Sequence, residues 1–79
     1  MKITVKYRGC MQLVDDAPVA FCTSSSSKDK KSIPASLHKG DKVHSIILIE
    51  EFDANEIKLS YNGQKISLPK GKEHIFTVQ

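Results

Sequence analysis

The chain has 79 residues, of which 39% are hydrophobic and 27% charged, with 12 lysines and arginines against 9 aspartates and glutamates. A chain of this length buries only about 60% of the surface that its unfolded form exposes, so it has room for one thin core. These values exclude a multidomain enzyme, and a formal net charge of +3 is compatible with an acidic partner without requiring one.

The apolar residues are spread along the chain in short runs. None of these runs approaches the 18 or more residues that a membrane-crossing helix needs. The N-terminal segment MKITVKYR interleaves charges and lacks the continuous apolar stretch of a secretory signal peptide. We therefore expect neither a membrane span nor a disulfide-dense secreted toxin.

Alternation is the clearest signal at the start of the chain. Ile3, Val5 and Tyr7 fall on one side of an extended segment, and polar or charged residues fall on the other. This period of two predicts a half-buried strand with one wet, basic face. Gly9 favours a bulge or bend directly after it.

The next segment predicts a hairpin over residues 10–23. Two apolar runs, at residues 10–14 and 19–23, flank Asp15, Asp16 and Pro18. Aspartates and prolines favour a turn, because Asp caps its own backbone and Pro removes a ladder donor.

Residues 24–32, with the sequence SSSSKDKKS, contain no apolar side chain. Because packing has nothing to bury here, we predict a solvated, mobile loop in which deletion of three serines changes stability little. Residues 33–37 are expected to form a single helical turn that docks Ile33 and Leu37 on the core.

Residues 42–50 are β-branched and mostly apolar on both faces, as expected of the most buried strand. A helix is the alternative interpretation, because a short apolar run does not fix the period. Residues 57–61 alternate cleanly, and Asn62-Gly63 is the strongest hairpin signal in the chain, since both residues tolerate positive φ.

Together these signals predict one all-β domain over residues 1–79, with a mobile loop at 24–32. An open sheet of this size would expose both of its edges. We therefore expect a small antiparallel barrel or two-layer sandwich of six to seven strands.

The two cysteines lie on opposite arms of the first predicted hairpin. A three-residue turn over residues 15–17 places Cys10 opposite Cys22, close enough for a disulfide, whereas a four-residue turn pairs Cys22 with Met11. The alternative is a pair of small buried thiols in a reducing compartment.

The sequence shows no pattern of a catalytic, metal or cofactor site. His38, His44 and His74 lack the spacings of zinc ligands, and no Gly-x-Ser-x-Gly elbow or glycine-rich phosphate loop is present. Adjacent carboxylates, as at residues 15–16 and 50–51, point to opposite faces of a strand. We predict a non-catalytic protein without metal or cofactor.

Basic residues offer one further candidate site. Small barrels bind single-stranded nucleic acid by combining such charges with exposed aromatic rings. Most of the five aromatic residues fall at predicted core positions, so a solvated face and a soluble loop are the favoured interpretation. The candidate binding residues are Lys2, Lys6 and Arg8 on the first strand, and Lys28, Lys30 and Lys31 in the loop.

The order of signals over residues 7–68 resembles the periplasmic homology-region domain of type II secretion C components and type IV pilus-biogenesis lipoproteins. The matching segments are YRG at 7–9, PVAFC at 18–22, LHKGDKV at 37–43, IKLSYNG at 57–63 and ISL at 66–68. This resemblance implies a compact six-stranded β fold that docks onto an outer-membrane secretin. Members of that family carry a membrane anchor or lipid-attachment cysteine and a linker before the domain. Three interpretations are therefore open: an excised domain, a subunit delivered differently, or an unrelated barrel with the same turn signals.

The predicted function is a non-enzymatic protein-interaction module within a larger assembly, such as a secretion or pilus-biogenesis machine. We expect the partner to pair with an exposed strand edge, for which the charged first strand, residues 2–8, is the candidate. The alternative is a small barrel that binds single-stranded nucleic acid, and an inhibitor or antitoxin subunit is a third class. The resemblance implies a periplasmic location; without it we expect a cytoplasmic one.

Overall fold

The structure, a computed structural model, describes residues 1–12, 14–28 and 31–78. These residues form eight strands and no helix, which confirms the all-β prediction. The strands are β1 (Lys2–Met11), β2 (Val19–Ser26), β3 (Ile33–Leu37), β4 (Lys42–Val43), β5 (Ile47–Phe52), β6 (Glu56–Tyr61), β7 (Gln64–Pro69) and β8 (Glu73–Thr77).

The strands form a two-layer sandwich, and no closed barrel is found among the described residues. The first sheet has the order β3-β2-β1-β8, and the second sheet has the order β4-β5-β6-β7. All strand pairs are antiparallel. The chain changes sheet between β3 and β4 and again between β7 and β8, so these two pairs of edge strands border the two open sides of the sandwich.

The core lies between the two sheets and is built mainly from the alternating positions. Ile3, Val5 and Tyr7 of β1 are fully buried, as the period of two predicts. The same buried cluster includes residues of both sheets: Ala20, Cys22 and Phe76 of the first, and Val43, Ile47, Ile49, Ile57, Leu59 and Leu68 of the second.

A β-bulge interrupts β1 at Arg8. Tyr7 lies opposite Cys22 and Gly9 lies opposite Phe21, so Arg8 is the extra residue. Gly9 adopts a φ of 127°, a conformation that favours glycine. The predicted bulge is therefore confirmed, and it changes which face the following side chains occupy.

Both predicted cysteine registers are wrong, because the paired strands end with Met11 opposite Val19, which shifts the register away from either predicted turn. Cys10 lies opposite Ala20, and Cys22 lies opposite Tyr7. Both cysteines are free thiols. Burial raises the pKa of the Cys22 thiol to about 11, so this thiol stays protonated at neutral pH.

The prediction of a loop beginning at Ser24 is wrong, because β2 continues through Ser26. Ser24 is buried and pairs with Val5, and the backbone N–H of Ser27 donates to the carbonyl oxygen of Lys2 at 2.8 Å. Backbone hydrogen bonds to β1 stabilise this polar segment as a strand, and such bonds cannot be predicted from the composition of the segment. Lys28, Lys31 and Ser32 are exposed, and residues 29–30 lie outside the described residues.

The predicted helical turn at residues 33–37 is also wrong, since this segment is β3 and pairs with β2. Pro34 explains why, because a proline disfavours the helical conformation of the residue before it. Leu37 packs against the core as expected, whereas Ile33 is 50% exposed.

Residues 42–50 form a tight hairpin between β4 and β5 and not one continuous strand. Val43 lies opposite Ile47, and the N–H of Ile46 donates to the carbonyl oxygen of Val43. His44 and Ser45 both adopt positive φ, at 52° and 65°. Neither residue is typical of such a turn, so the turn could not be predicted from its residues.

The predicted hairpin at Asn62-Gly63 is confirmed, with positive φ at both residues. Replacing Gly63, at φ 80°, with valine should lower the free energy of unfolding by roughly 1–3 kcal/mol, because a β-branched residue resists this conformation. Urea denaturation measures the loss. Gly63→Asn is the control and should lose clearly less, since asparagine tolerates positive φ; equal losses would contradict the argument.

The ladder at Ser24–Ser27 generates a second prediction. Deleting Ser25 to Ser27 should lower the free energy of unfolding by about 2 kcal/mol or more, because several β1–β2 hydrogen bonds are lost. Inserting three serines after Lys28 is the control and should cost under about 1 kcal/mol, because loop closure depends weakly on length. Denaturant unfolding of both variants measures these losses. A deletion variant with an unchanged free energy of unfolding would contradict a stabilising role for the β1–β2 hydrogen bonds at these serines.

Candidate functional site

The strand predicted to be the docking edge lies inside its sheet. β1 pairs with β2 on one side and with β8 on the other. The prediction of an exposed edge at residues 2–8 is therefore wrong. Alternation reveals which face of a strand is wet but not which strands pair with it, so the edge could not be identified from β1 itself.

The free edges belong to β3 and β8 in the first sheet and to β4 and β7 in the second. An antiparallel strand directs its backbone groups alternately to its two neighbours, so one hydrogen bond fixes the direction for the whole strand. The Ser27 N–H donates to the carbonyl oxygen of Lys2, so the backbone groups of the even-numbered residues of β1 before the bulge point toward β2. The bond from the Gly71 N–H to the Tyr7 carbonyl, at 2.8 Å, assigns the odd-numbered residues before the bulge to the β8 side.

The edge of β3 is blunted by a proline. Because Ser25 faces β1, Ser24 and Cys22 face β3, where they pair with Ile33 and Ala35. Pro34 and Ser36 then point away from the sheet. Pro34 has no N–H group, so this edge has lost a donor that an added strand would use.

The edge of β7 is blunted in the same way. The N–H of Lys70 donates to the carbonyl oxygen of Asn55 at 2.8 Å, so the backbone groups of the even-numbered residues of β7 point toward β6. The backbone groups of Lys65, Ser67 and Pro69 therefore point outward. Pro69 removes an outward donor, and lysine on an edge strand opposes pairing with another strand. β4 contains only Lys42 and Val43, which is too short to template an added strand.

Among the described edge strands, β8 is the one that has neither a proline nor a lysine. Its sequence, EHIFT, has no proline and no lysine. Ile3 and Val5, whose backbone groups point toward β8, lie opposite Phe76 and His74. The N–H and C=O groups of Glu73, Ile75 and Thr77 therefore point away from the sheet. Ile75 is also 57% exposed, so unpaired backbone groups and an apolar side chain coincide. We call this edge the β8 edge.

The two open sides of the sandwich differ in how they are closed. On the β3–β4 side, the Nε2 of His44 and the Oγ of Ser24 form a hydrogen bond of 3.2 Å that joins the two sheets. On the β7–β8 side, Phe76 contacts His74 and Tyr61 in edge-to-face geometry, with centroids 4.7 and 6.0 Å apart. These rings fix the inward side chains of β8 and leave its outward backbone groups free.

The predicted basic residues occupy the outer face of the first sheet and the segment after β2. Lys6 and Arg8 line one cleft with Thr4, Ser25 and Glu73. Lys2, Lys28 and Lys31 do not line that cleft, and Lys30 lies outside the described residues. The structure therefore brings two of the six predicted residues together.

Sequence reasoning missed two residues of this face. Phe21 was not among the predicted binding residues; Ala20, Cys22 and Ser24 face inward, and the period of two then places Phe21 outward. That signal was present in the sequence. Lys70, whose side chain lies over Gly9, has no local signal, because the contact arises from the β7–β8 turn.

No group of three or more His, Cys, Asp and Glu side chains suitable for a metal ion occurs in the described ranges. The same residues contain no helix that is long and apolar enough to cross a membrane. No protein-family model, curated protein or solved structure matches the chain.

Proposed function

We propose that this chain is a non-enzymatic protein-interaction module that binds an extended segment of a partner protein along the β8 edge. The observation that carries the proposal is that the other described edges are blunted, whereas β8 offers three outward residues with complete backbone groups. Strand addition of this kind uses main-chain hydrogen bonds for affinity and alternating side chains for specificity.

The energetics favour a role within a larger assembly. An added strand can form about six hydrogen bonds with the β8 edge, each with a net value of roughly 0.5–1.5 kcal/mol. Cross-strand contact with Ile75 adds about 0.2–1 kcal/mol. Since association itself costs about 4–15 kcal/mol, an isolated segment binds weakly. Additional contacts in an assembly raise the effective concentration and make such an edge useful.

The side chains of the β8 edge specify the partner segment. Ile75 favours a β-branched or aromatic residue opposite it, and Glu73 favours a basic residue two positions away on the same face. Lys6 already lies opposite Glu73 on β1, where cross-strand neighbours of opposite charge attract. The apolar contact with Ile75 is therefore the main side-chain determinant.

The resemblance to the homology-region domain extends this proposal to one class of assembly. A type II secretion or type IV pilus machine would supply an outer-membrane secretin as the partner and a periplasmic location. This extension stays a prediction, and the β8 edge is proposed independently of it.

Selection from a displayed library of extended peptides tests the proposal. The unchanged protein should select segments with an apolar residue two positions from a basic one. Ile75→Pro removes one outward N–H without touching the β1 ladder, and it should weaken binding of the selected segments at least tenfold, about 1.4 kcal/mol. Titration calorimetry measures the affinity.

Ser67→Pro is the matched control, because it makes the same change at an outward position of β7. It should leave affinity unchanged. Equal loss in both variants would contradict binding at the β8 edge. A concentration-dependent dimer that Ile75→Pro abolishes would assign the edge to a second copy of the chain and overturn the proposal of a different partner.

A further inference from the structure

The outer face of the first sheet carries a cluster of cations that the proposed function does not use. The bulge places Arg8 on the surface, where it lines clefts on both sides of β2. Lys6 lines the first cleft, with hydroxyl groups from Thr4, Thr23 and Ser25. Among the described residues that line the two clefts, Glu73 carries the one carboxylate.

Lys70 adds a third cation to this cluster. Gly9 lies directly opposite Phe21, so the missing side chain of Gly9 would point to the same outer face. The Lys70 stem occupies that space, since a Cβ atom on Gly9 would lie 3.3 Å from its Cε. The ammonium group of Lys70 lies 3.8 Å from the same Cβ position, over the residue that pairs with Phe21 and directly follows Arg8.

Phe21 supplies an aromatic surface beside these cations. It is partly exposed and shares a cleft of about 460 Å³ with Arg8, Thr23 and Ser36. This volume falls within the range of about 300–1,000 Å³ typical of small-ligand sites. An aromatic ring outside the core of so small a protein contributes nothing to the packing between the sheets.

The outer face of the second sheet has a different charge pattern. There Lys58 forms an ion pair of 2.8 Å with Glu51, and Lys39, Glu50 and Lys65 line the same cleft. Its cations and carboxylates are interspersed, and the pair holds the pKa of Glu51 below its usual range. A concentrated positive surface is therefore specific to the first sheet.

We propose that the basic face, defined as Lys6, Arg8, Phe21 and Lys70, binds single-stranded nucleic acid. The cations contact successive phosphates, and one base stacks on Phe21. Sequence-tolerant binding of single strands uses this combination of a cationic surface and an aromatic platform. An acidic peptide would use the charges but would gain no stacking on the ring, so Phe21 favours the nucleic acid.

Fluorescence anisotropy with labelled oligo(dT) and oligo(rU) of about ten nucleotides tests this proposal. Three phosphate contacts predict that affinity falls about twentyfold between 50 and 200 mM salt. Arg8→Gln should reduce that salt dependence. Phe21→Leu should weaken binding at least fivefold, because leucine keeps an apolar side chain but removes the stacking surface. The salt dependence of binding should stay unchanged in this variant, since no phosphate contact is lost.

Lys65→Gln is the matched control, since it removes one cation from the outer face of the second sheet, and it should leave binding unchanged. Ile75→Pro should also bind the oligonucleotides normally, which separates this site from the β8 edge. Absence of binding at low salt overturns the proposal, and so does equal loss in Lys65→Gln. Binding of poly-glutamate as tightly as of oligo(dT), without an effect of Phe21→Leu, would assign the face to an acidic protein and overturn it as well.

Discussion

Hydrogen bonding on both sides of β1 is the constraint on which the rest of the structure depends. Before the bulge, the even-numbered residues bond to β2, and the odd-numbered residues bond to β8 and to the turn that precedes it. β8 ends the order of the first sheet, and this alternation fixes which of its backbone groups remain unpaired. The same rule places Pro34 and Pro69 at outward positions of their own edges, where a missing N–H costs the sheets no ladder bond.

The bulge in β1 connects the core to the outer surface. Before it, Tyr7 is buried, and its hydroxyl donates to the carbonyl oxygen of Asp53 at 2.5 Å, which ties the first sheet to the β5–β6 turn. Burial raises the pKa of Tyr7 above its ordinary value, so the hydroxyl stays a donor. The Asp53 carboxylate accepts the N–H groups of Asn55 and Glu56, which lowers its pKa and orders that turn. Directly after Tyr7, the extra residue Arg8 turns outward.

Local patterns predicted the parts of the fold that local physics determines. Alternation identified the inward side chains of β1, and Asn62-Gly63 located a hairpin. Composition wrongly predicted a loop at Ser24–Ser26, because the backbone hydrogen bonds to β1 that stabilise this strand do not depend on its side chains. The β8 edge could not be predicted, since strand order is a property of long-range pairing. Of the basic face, Lys6 and Arg8 were predicted, Phe21 was predictable from its period, and Lys70 was not.

Amide hydrogen exchange along β8, measured by NMR with and without a selected peptide, tests the central claim most directly. In the free protein, the amides of His74 and Phe76 should be protected, while those of Ile75 and Thr77 exchange rapidly. Saturating peptide should slow Ile75 and Thr77 and leave Lys65 and Ser67 of β7 unchanged. Protection of Ile75 and Thr77 without a partner, or slowing confined to β7, would contradict the assignment of β8 as the docking edge.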